Sequence, residues 1–333
     1  MIATFDGSSV NLGREGKVLY DQSGFGRPGA GGLTLSPEEA LYLLHRNKIE
    51  IEGYTFDSFL AECAASPGFF RCYLVYRDIR ERGYVIQPGP HDFRVYRRGQ
   101  RPATGQSHYV LRVLPERELI RFEAIVGDVR SALHMRKHYV LAVVDDEDEL
   151  TYYEVKLPRL EKAADCAGAG IIDAKVFGTT VIAEHDAAAA LEQAWFGTRL
   201  DAERLMLSPT ETVFLAGRGM LRCGGGPASL DTYIEASMAS DADLRAKLAA
   251  YTHLRDLGYI PRTGYKFGHH FRVYSGKSTH SEMLVHALDA DAGMPMSVIS
   301  RSVRLAHSVR KKMLFACTHE NTVCYIEFAR IKL

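Results

Sequence analysis

Apolar and polar positions alternate along the chain in two rhythms. FRVY (93–96 and 271–274), HYVLRVL (108–114), SEMLVHAL (281–288) and MLFAC (313–317) have the short period of strands. Ile299, Val303, Ala306 and Val309 recur at helical spacing and make one buried face. Arg301, Arg304 and Ser308 then face outward, and Lys311 lies at the helix exit. A strong helix start is written at Ser36, with Pro37 at the first helical position and Glu39 three residues after the cap. Ser208, Pro209 and Glu211 repeat it. Second helices are expected near 56–64 and 229–238, and short strands over KVLYD (17–21) and AKVFGTTVIA (174–183).

The pattern occurs twice. LTLSPEEALYLL (33–44) returns as LMLSPTETVFLA (205–216), and YLVYRDIRERGYVI (73–86) as AAYTHLRDLGYI (249–260). HDFRVY (91–96) returns as HHFRVY (269–274), and GDVRSALHMRKHYVLAVV (127–144) as RSVRLAHSVRKKMLFACT (301–318). Order is kept at a nearly constant offset, the signature of a tandem duplication. Each repeat divides again. Residues 1–68 and 169–243 form small N-terminal subdomains, 69–158 and 244–333 form larger C-terminal domains, and 159–168 is a linker. The larger domains read as helix, strand, strand, strand, helix, strand, strand. The hairpin segments TYYEVKL and VCYIEFA are candidates for pairing the two repeats.

Composition narrows the class. The 41 Lys+Arg balance the 41 Asp+Glu, so no general nucleic-acid coat is implied. Between Arg255 and Lys312, however, ten basic residues face four acidic ones, which suits a local anionic partner. No run of about 18 apolar residues suggests a membrane span, and MIATFDGSSV lacks the marks of a secretory signal. Cysteines at 63, 72, 166, 223, 317 and 324 make no CxxC pair, so reduced thiols in a cytoplasmic protein are expected.

The basic stretch gathers Tyr274, His280 and Lys311 without paired carboxylates. Histidine suits proton transfer near neutral pH. Lysine offsets charge building on a phosphate oxygen. Tyrosine removes a hydroxyl proton when neighbouring cations lower its pKa. Together they fit attack by an RNA 2′-hydroxyl on the adjacent phosphate, which needs neither metal nor cofactor. Taken singly, each is as well explained as a strand residue, a surface histidine or a helix-end charge. Gly24, Gly26 and Gly29 match GxGxxG but lead into LTLSP rather than a helix, which argues against a dinucleotide loop. Glu154-Val155-Lys156 mimics the ExK of a metal nuclease, but the second repeat has no matching lysine.

RDLGY (255–259), TGYKFG (263–268), FRVY (271–274), His280-Ser281 and VRLAHSVRKK (303–312) resemble the archaeal tRNA-splicing endonuclease family, in its two-repeat homodimeric form. The resemblance spans both repeats. It implies an α+β fold in which each repeat joins a small N-terminal α/β subdomain to a mixed-sheet nuclease-like domain. It also implies excision of introns from precursor tRNA at bulge–helix–bulge sites, leaving a 2′,3′-cyclic phosphate and a 5′-hydroxyl. Tyr274 would activate the 2′-hydroxyl, His280 protonate the leaving 5′-oxygen and Lys311 stabilise the phosphorane-like charge. Tyr274 and His280 are only six residues apart, a shorter loop than the family pattern suggests. Arg304 and Arg330 match the pair that pinches a bulged base, a task suited to guanidinium planes.

The first repeat keeps Tyr96 and Lys137 but has Gln106 where His280 sits, with His108 two positions on as a rival acid, and QPGP where the second has TGYKFG. It reads as a degenerate, structural copy. Its hairpin tip carries Asp145, Asp146, Glu147, Asp148 and Glu149, against HEN in the second repeat. The resemblance implies that such a loop docks in a basic pocket of the partner in a homodimer. The rivals are a non-catalytic RNA-binding or assembly subunit and a metal-dependent nuclease.

Overall fold

The computed structural model describes residues 1–163, 170–224, 229–276, 280–319 and 322–333, with only the backbone of 319. Cys166, the 164–168 part of the expected linker, and Glu320 and Asn321 of the HEN turn therefore fall outside the described residues.

Each repeat opens with a five-stranded sheet. The first is built from Ile2–Phe5, Val10–Leu12, Arg27–Gly29, Gly32–Leu35 and Glu50–Ile51. The second uses Ile172–Phe177, Thr180–Glu184, Thr198–Arg199, Arg204–Leu207 and Leu221–Cys223, in the same spatial order. The helices Pro37–His45 and Pro209–Gly217 start as the sequence predicts. Ser36 and Ser208 accept from the peptide N–H of Glu39 and Glu211, whose carboxylates reach back to the cap N–H. The helices Phe56–Ala64 and Leu230–Ser240 follow.

KVLYD is not a strand. Lys17–Ser23 is a helix closed by Gly24 at φ +66°, and the second repeat has the helix His185–Gln193 between the corresponding strands. The alternation of apolar residues over five positions misled, because the segment is half exposed and leads into a glycine that ends a helix in the left-handed region.

The C-terminal domains fuse into one ten-stranded sheet. From one edge to the other it runs Tyr259–Thr263, Phe271–Ser275, Met283–Asp289, Lys312–His319, Thr322–Ile331, Leu150–Lys156, His138–Val144, Tyr109–Pro115, Phe93–Val95, Ile86–Pro88. At its centre Leu150–Lys156 and Thr322–Ile331 pair antiparallel, from Tyr152↔Ile331 to Lys156↔Glu327. The sheet therefore reads the same from either end, and the two repeats are related by an approximate twofold.

Three apolar cores organise the layers. One face of the sheet is covered by the helices Phe122–His134 and Met296–Ser308, and both repeats share that core, with Phe122, Val129, Ile299 and Phe315 in it. On the other face the helices Phe69–Glu81 and Leu244–Asp256 join each half of the sheet to its own N-terminal unit. Ile299, Val303 and Ala306 are buried while Arg301, Arg304 and Ser308 are exposed, as the helical period requires. The result is a duplicated α+β fold. Among the described residues no helix is long and apolar enough to cross a membrane.

Candidate active site

The site forms where helix Met296–Ser308 gives way to strand Lys312–His319. Arg310 takes the left-handed conformation at φ +56°, and the Lys311 N–H donates to the Ala306 carbonyl at 2.8 Å. That turn aims the Lys311 ammonium at the start of the neighbouring parallel strand, where it donates to the Ser281 carbonyl oxygen at 2.5 Å. Ser281 is buried, and His280 beside it is exposed. His280 and Lys311 line one cleft of about 1080 Å³, together with Glu282, His307, Lys312 and Glu327. His280 sits three residues ahead of strand Met283–Asp289, not on it.

Arg304 and Arg330 line an adjoining groove of about 650 Å³. The cleft and the groove share His307, Lys311, Lys312 and Glu327 as walls, so they lie side by side. His307 was missed from the sequence. Its signal was its place three residues after Arg304, on the same helix face.

Tyr274 is the penultimate residue of strand Phe271–Ser275. Phe271 and Val273 point into the core, which turns Arg272 and Tyr274 the other way. The Glu282 N–H donates to the Val273 carbonyl at 2.9 Å, and the Ser275 hydroxyl bonds the Glu282 carboxylate. The strand of Tyr274 is thus stitched to the segment carrying His280. The Tyr274 side chain nevertheless opens into a separate groove of about 600 Å³, beside Arg199, Arg262, Arg272 and Trp195. Residues 277–279, which join Tyr274 to His280, lie outside the described residues.

Arg262 and Arg272 stand directly opposite each other across the strand pair. Like charges so placed repel. Arg262 is held by the carbonyls of Gly197 at 2.7 Å and Trp195 at 3.4 Å, with Glu211 at 3.6 Å. Arg255, part of the RDLGY match, is structural: it binds the Ala194 and Trp195 carbonyls and lies 4.0 Å over the Phe196 ring, as Arg80 does with Ser23, Gly24 and Phe25.

The first repeat preserves the frame. Arg136 is at φ +58°, and Lys137 donates to the Ser107 carbonyl at 2.9 Å. Ser107 therefore answers to Ser281, and Gln106 to His280. His108 answers to Glu282, since its N–H donates to the Val95 carbonyl at 2.8 Å as that of Glu282 does to Val273. Its ring packs on Tyr109 and His138. The phenol also differs. Tyr96 is only 5% exposed, burial raises its pKa, and its hydroxyl donates to Gln87 Oε1 at 3.2 Å. Gln87 occupies the place of Arg262 and is itself tied to the Gly24 and Gly26 carbonyls. Leu157 stands where the second repeat has Arg330.

At the acidic tip, Asp145 is spent on the turn: its carboxylate accepts from the Glu147 and Glu149 N–H groups. Asp146 pairs with Arg117. Glu147, Asp148 and Glu149 are exposed. Glu154, of the ExK decoy, is engaged by His138 at 2.5 Å and Lys156 at 2.8 Å.

Comparison with known proteins agrees with the duplication. The family model for the tRNA intron endonuclease catalytic C-terminal domain matches residues 69–152 and 244–325. The model for the N-terminal domain of the same family matches 1–60 and 172–232. A protein named tRNA-splicing endonuclease from Methanosarcina acetivorans is 39% identical over 351 residues, covering 100% of both chains. Proteins of that name from Methanococcoides burtonii and Natronomonas pharaonis are 38% and 37% identical, covering 95% and 92% of each chain. Two matched copies of each domain and full-length identity at this level lead to one conclusion: the chain belongs to the tRNA intron endonuclease family.

Proposed function

We propose that this protein is an endoribonuclease that excises introns from precursor tRNA at bulge–helix–bulge sites, and that only its second repeat cuts. The observation that carries the reading is the adjacency of the cleft of His280 and Lys311 to the groove of Arg304 and Arg330, with Lys311 lining both, in the copy that has the histidine.

In this reading the RNA backbone runs from the His280–Lys311 cleft to the groove of Tyr274, and Tyr274 draws the proton from the 2′-hydroxyl, whose oxygen attacks the adjacent phosphorus. The P–O5′ bond breaks, and His280 delivers a proton to the leaving 5′-oxygen. Lys311 faces the charge on the non-bridging oxygens at the crowded phosphorus. The products carry a 2′,3′-cyclic phosphate and a 5′-hydroxyl. Arg304 and Arg330 would hold a flipped base between guanidinium planes, which requires no particular base identity. Residues 69–158 would serve as scaffold and 244–333 as the catalytic domain.

The protein would work as a homodimer. Glu147, Asp148 and Glu149 of one copy would dock in the pocket of the other that is lined by Lys247, Arg262 and Arg272 and not by Tyr274. An acidic occupant there would relieve the repulsion between two facing arginines.

An RNA substrate with a single 2′-deoxynucleotide at the cut site tests the chemistry. It should bind as the all-ribose RNA does and remain uncut at that site. Cleavage at the deoxy position would overturn the mechanism.

A further inference from the structure

The two repeats exchange their ends. Pro158-Arg159-Leu160 of the first corresponds to Ile331-Lys332-Leu333 of the second. Leu160 packs against the core of the second repeat, and the Ala163 N–H donates to the Leu257 carbonyl at 2.7 Å. Leu333 is buried in the core of the first repeat, and its carbonyl accepts from Arg82 at 3.3 Å. The central antiparallel pairing causes this, because it sends each strand end past the midline onto the other half. One wall of the cleft holding His280 and Lys311 is therefore Pro158–Glu161, residues that belong to the opposite repeat.

Arg159 is exposed at this wall, between the half-buried Pro158 and Leu160. Its charge matters to the cleft. Arg310, Lys311 and Lys312 are there matched by Glu161, Glu282 and Glu327, three against three. Arg159 is the fourth cation of the lining and gives its Lys, Arg and Glu side chains a net positive charge, before any proton on His280 is counted. Guanidinium binds phosphate oxygens with two parallel N–H bonds, which fixes position as well as charge.

We infer that Arg159 is a substrate-positioning residue. Its guanidinium contacts a backbone phosphate flanking the scissile bond, so the active site is composite, with catalytic groups from the second repeat and a clamp from the end of the first. This rests on reading the cleft as the place of cleavage.

The test measures binding of an intact bulge–helix–bulge RNA to full-length His280→Ala protein, with and without Arg159→Ala, across a salt series. Loss of one phosphate contact should lower the slope of log affinity against log salt by about 0.7–0.9. Binding at low salt should weaken roughly tenfold. With His280 intact, Arg159→Ala should raise KM while kcat stays within a few-fold, and Arg159→Lys should recover much of the loss. Thermal unfolding of the variants should be unchanged, since the side chain is exposed. An unchanged salt slope and KM in Arg159→Ala would overturn the inference. Normal cutting by His280→Ala would instead overturn the reading of the cleft, a failure distinct from the first.

Discussion

The Lys311 ammonium is hydrogen-bonded to the Ser281 carbonyl, one residue from the His280 imidazole. The bond ties the end of a helix to the start of a parallel strand, so cation and imidazole share one rigid corner. Lys137 and Ser107 form the same corner in the first repeat, with glutamine in place of the imidazole. The two repeats thus share the frame and differ in the side chain beside it.

The first prediction concerns that asymmetry. His280→Ala should lower the cleavage rate by about 10²–10⁴-fold, the range for loss of a general acid. Gln106→Ala should leave it unchanged. Gln106→His, placed in the His280→Ala protein, should not restore cutting, since the Tyr96 hydroxyl is buried against Gln87. Single-turnover cleavage of a labelled precursor measures all three, and restored cutting by Gln106→His would refute the account of the silent copy.

The second concerns the base clamp. Arg304→Ala and Arg330→Ala should each weaken RNA binding by about 1–3 kcal/mol, as loss of a stacking partner does. The double variant should lose less than the sum, because one plane cannot pinch. Arg130→Ala, at the matching helix position of the first repeat, should bind as the parent does. Equilibrium titration with uncleaved RNA reads these differences.

The third concerns assembly. Glu147→Lys combined with Glu149→Lys should shift the protein from twice the chain mass to the chain mass. Neither side chain shapes the turn, which Asp145 holds through the peptide N–H groups of these two residues. Light scattering measures the mass and circular dichroism the fold. A dimer that persists would count against acidic-loop docking.

The fourth is a pH dependence of stability. His269 and His270 are held neutral by burial, their pKa lowered to about 4, with His286 stacked on His270 at 4.2 Å. Lys247, Asp243 and Asp241 are the charges nearest this group. The unfolded chain binds protons at these histidines below its pKa of about 6.5. The folded chain does so only near 4. Stability is therefore present above pH 6.5 and lost as pH falls from 6.5 towards 4, on the order of 2 kcal/mol per histidine between pH 7 and pH 5. Urea unfolding at both pH values tests it, and His270→Asn should flatten the dependence.

The sequence revealed much of this where the signal was local or repeated. The capping boxes at Ser36 and Ser208 needed only a four-residue pattern, and the outward face of Arg301, Arg304 and Ser308 only the helical period. Pairing of TYYEVKL with VCYIEFA was legible because both are last strands of a duplicated unit. Other features were not legible because they depend on what lies across space. KVLYD is a separate case: its alternation is strand-like, but the local signal of Gly24, whose N–H caps the Tyr20 carbonyl, closes it as a helix. Gln87 and Arg262 occupy matching places in different chemistry, and only the contact between Gln87 and Tyr96 explains why one phenol is hidden. The Arg159 wall depends on the crossing of strand ends, which no local pattern encodes.

The most direct measurement is of product ends after digestion of an intron-containing precursor tRNA in excess EDTA. The account predicts cleavage at both intron borders, with 2′,3′-cyclic phosphate and 5′-hydroxyl termini and a rate unaffected by added Mg²⁺. No cleavage until Mg²⁺ is restored, or products bearing 5′-phosphate and 3′-hydroxyl, would contradict it.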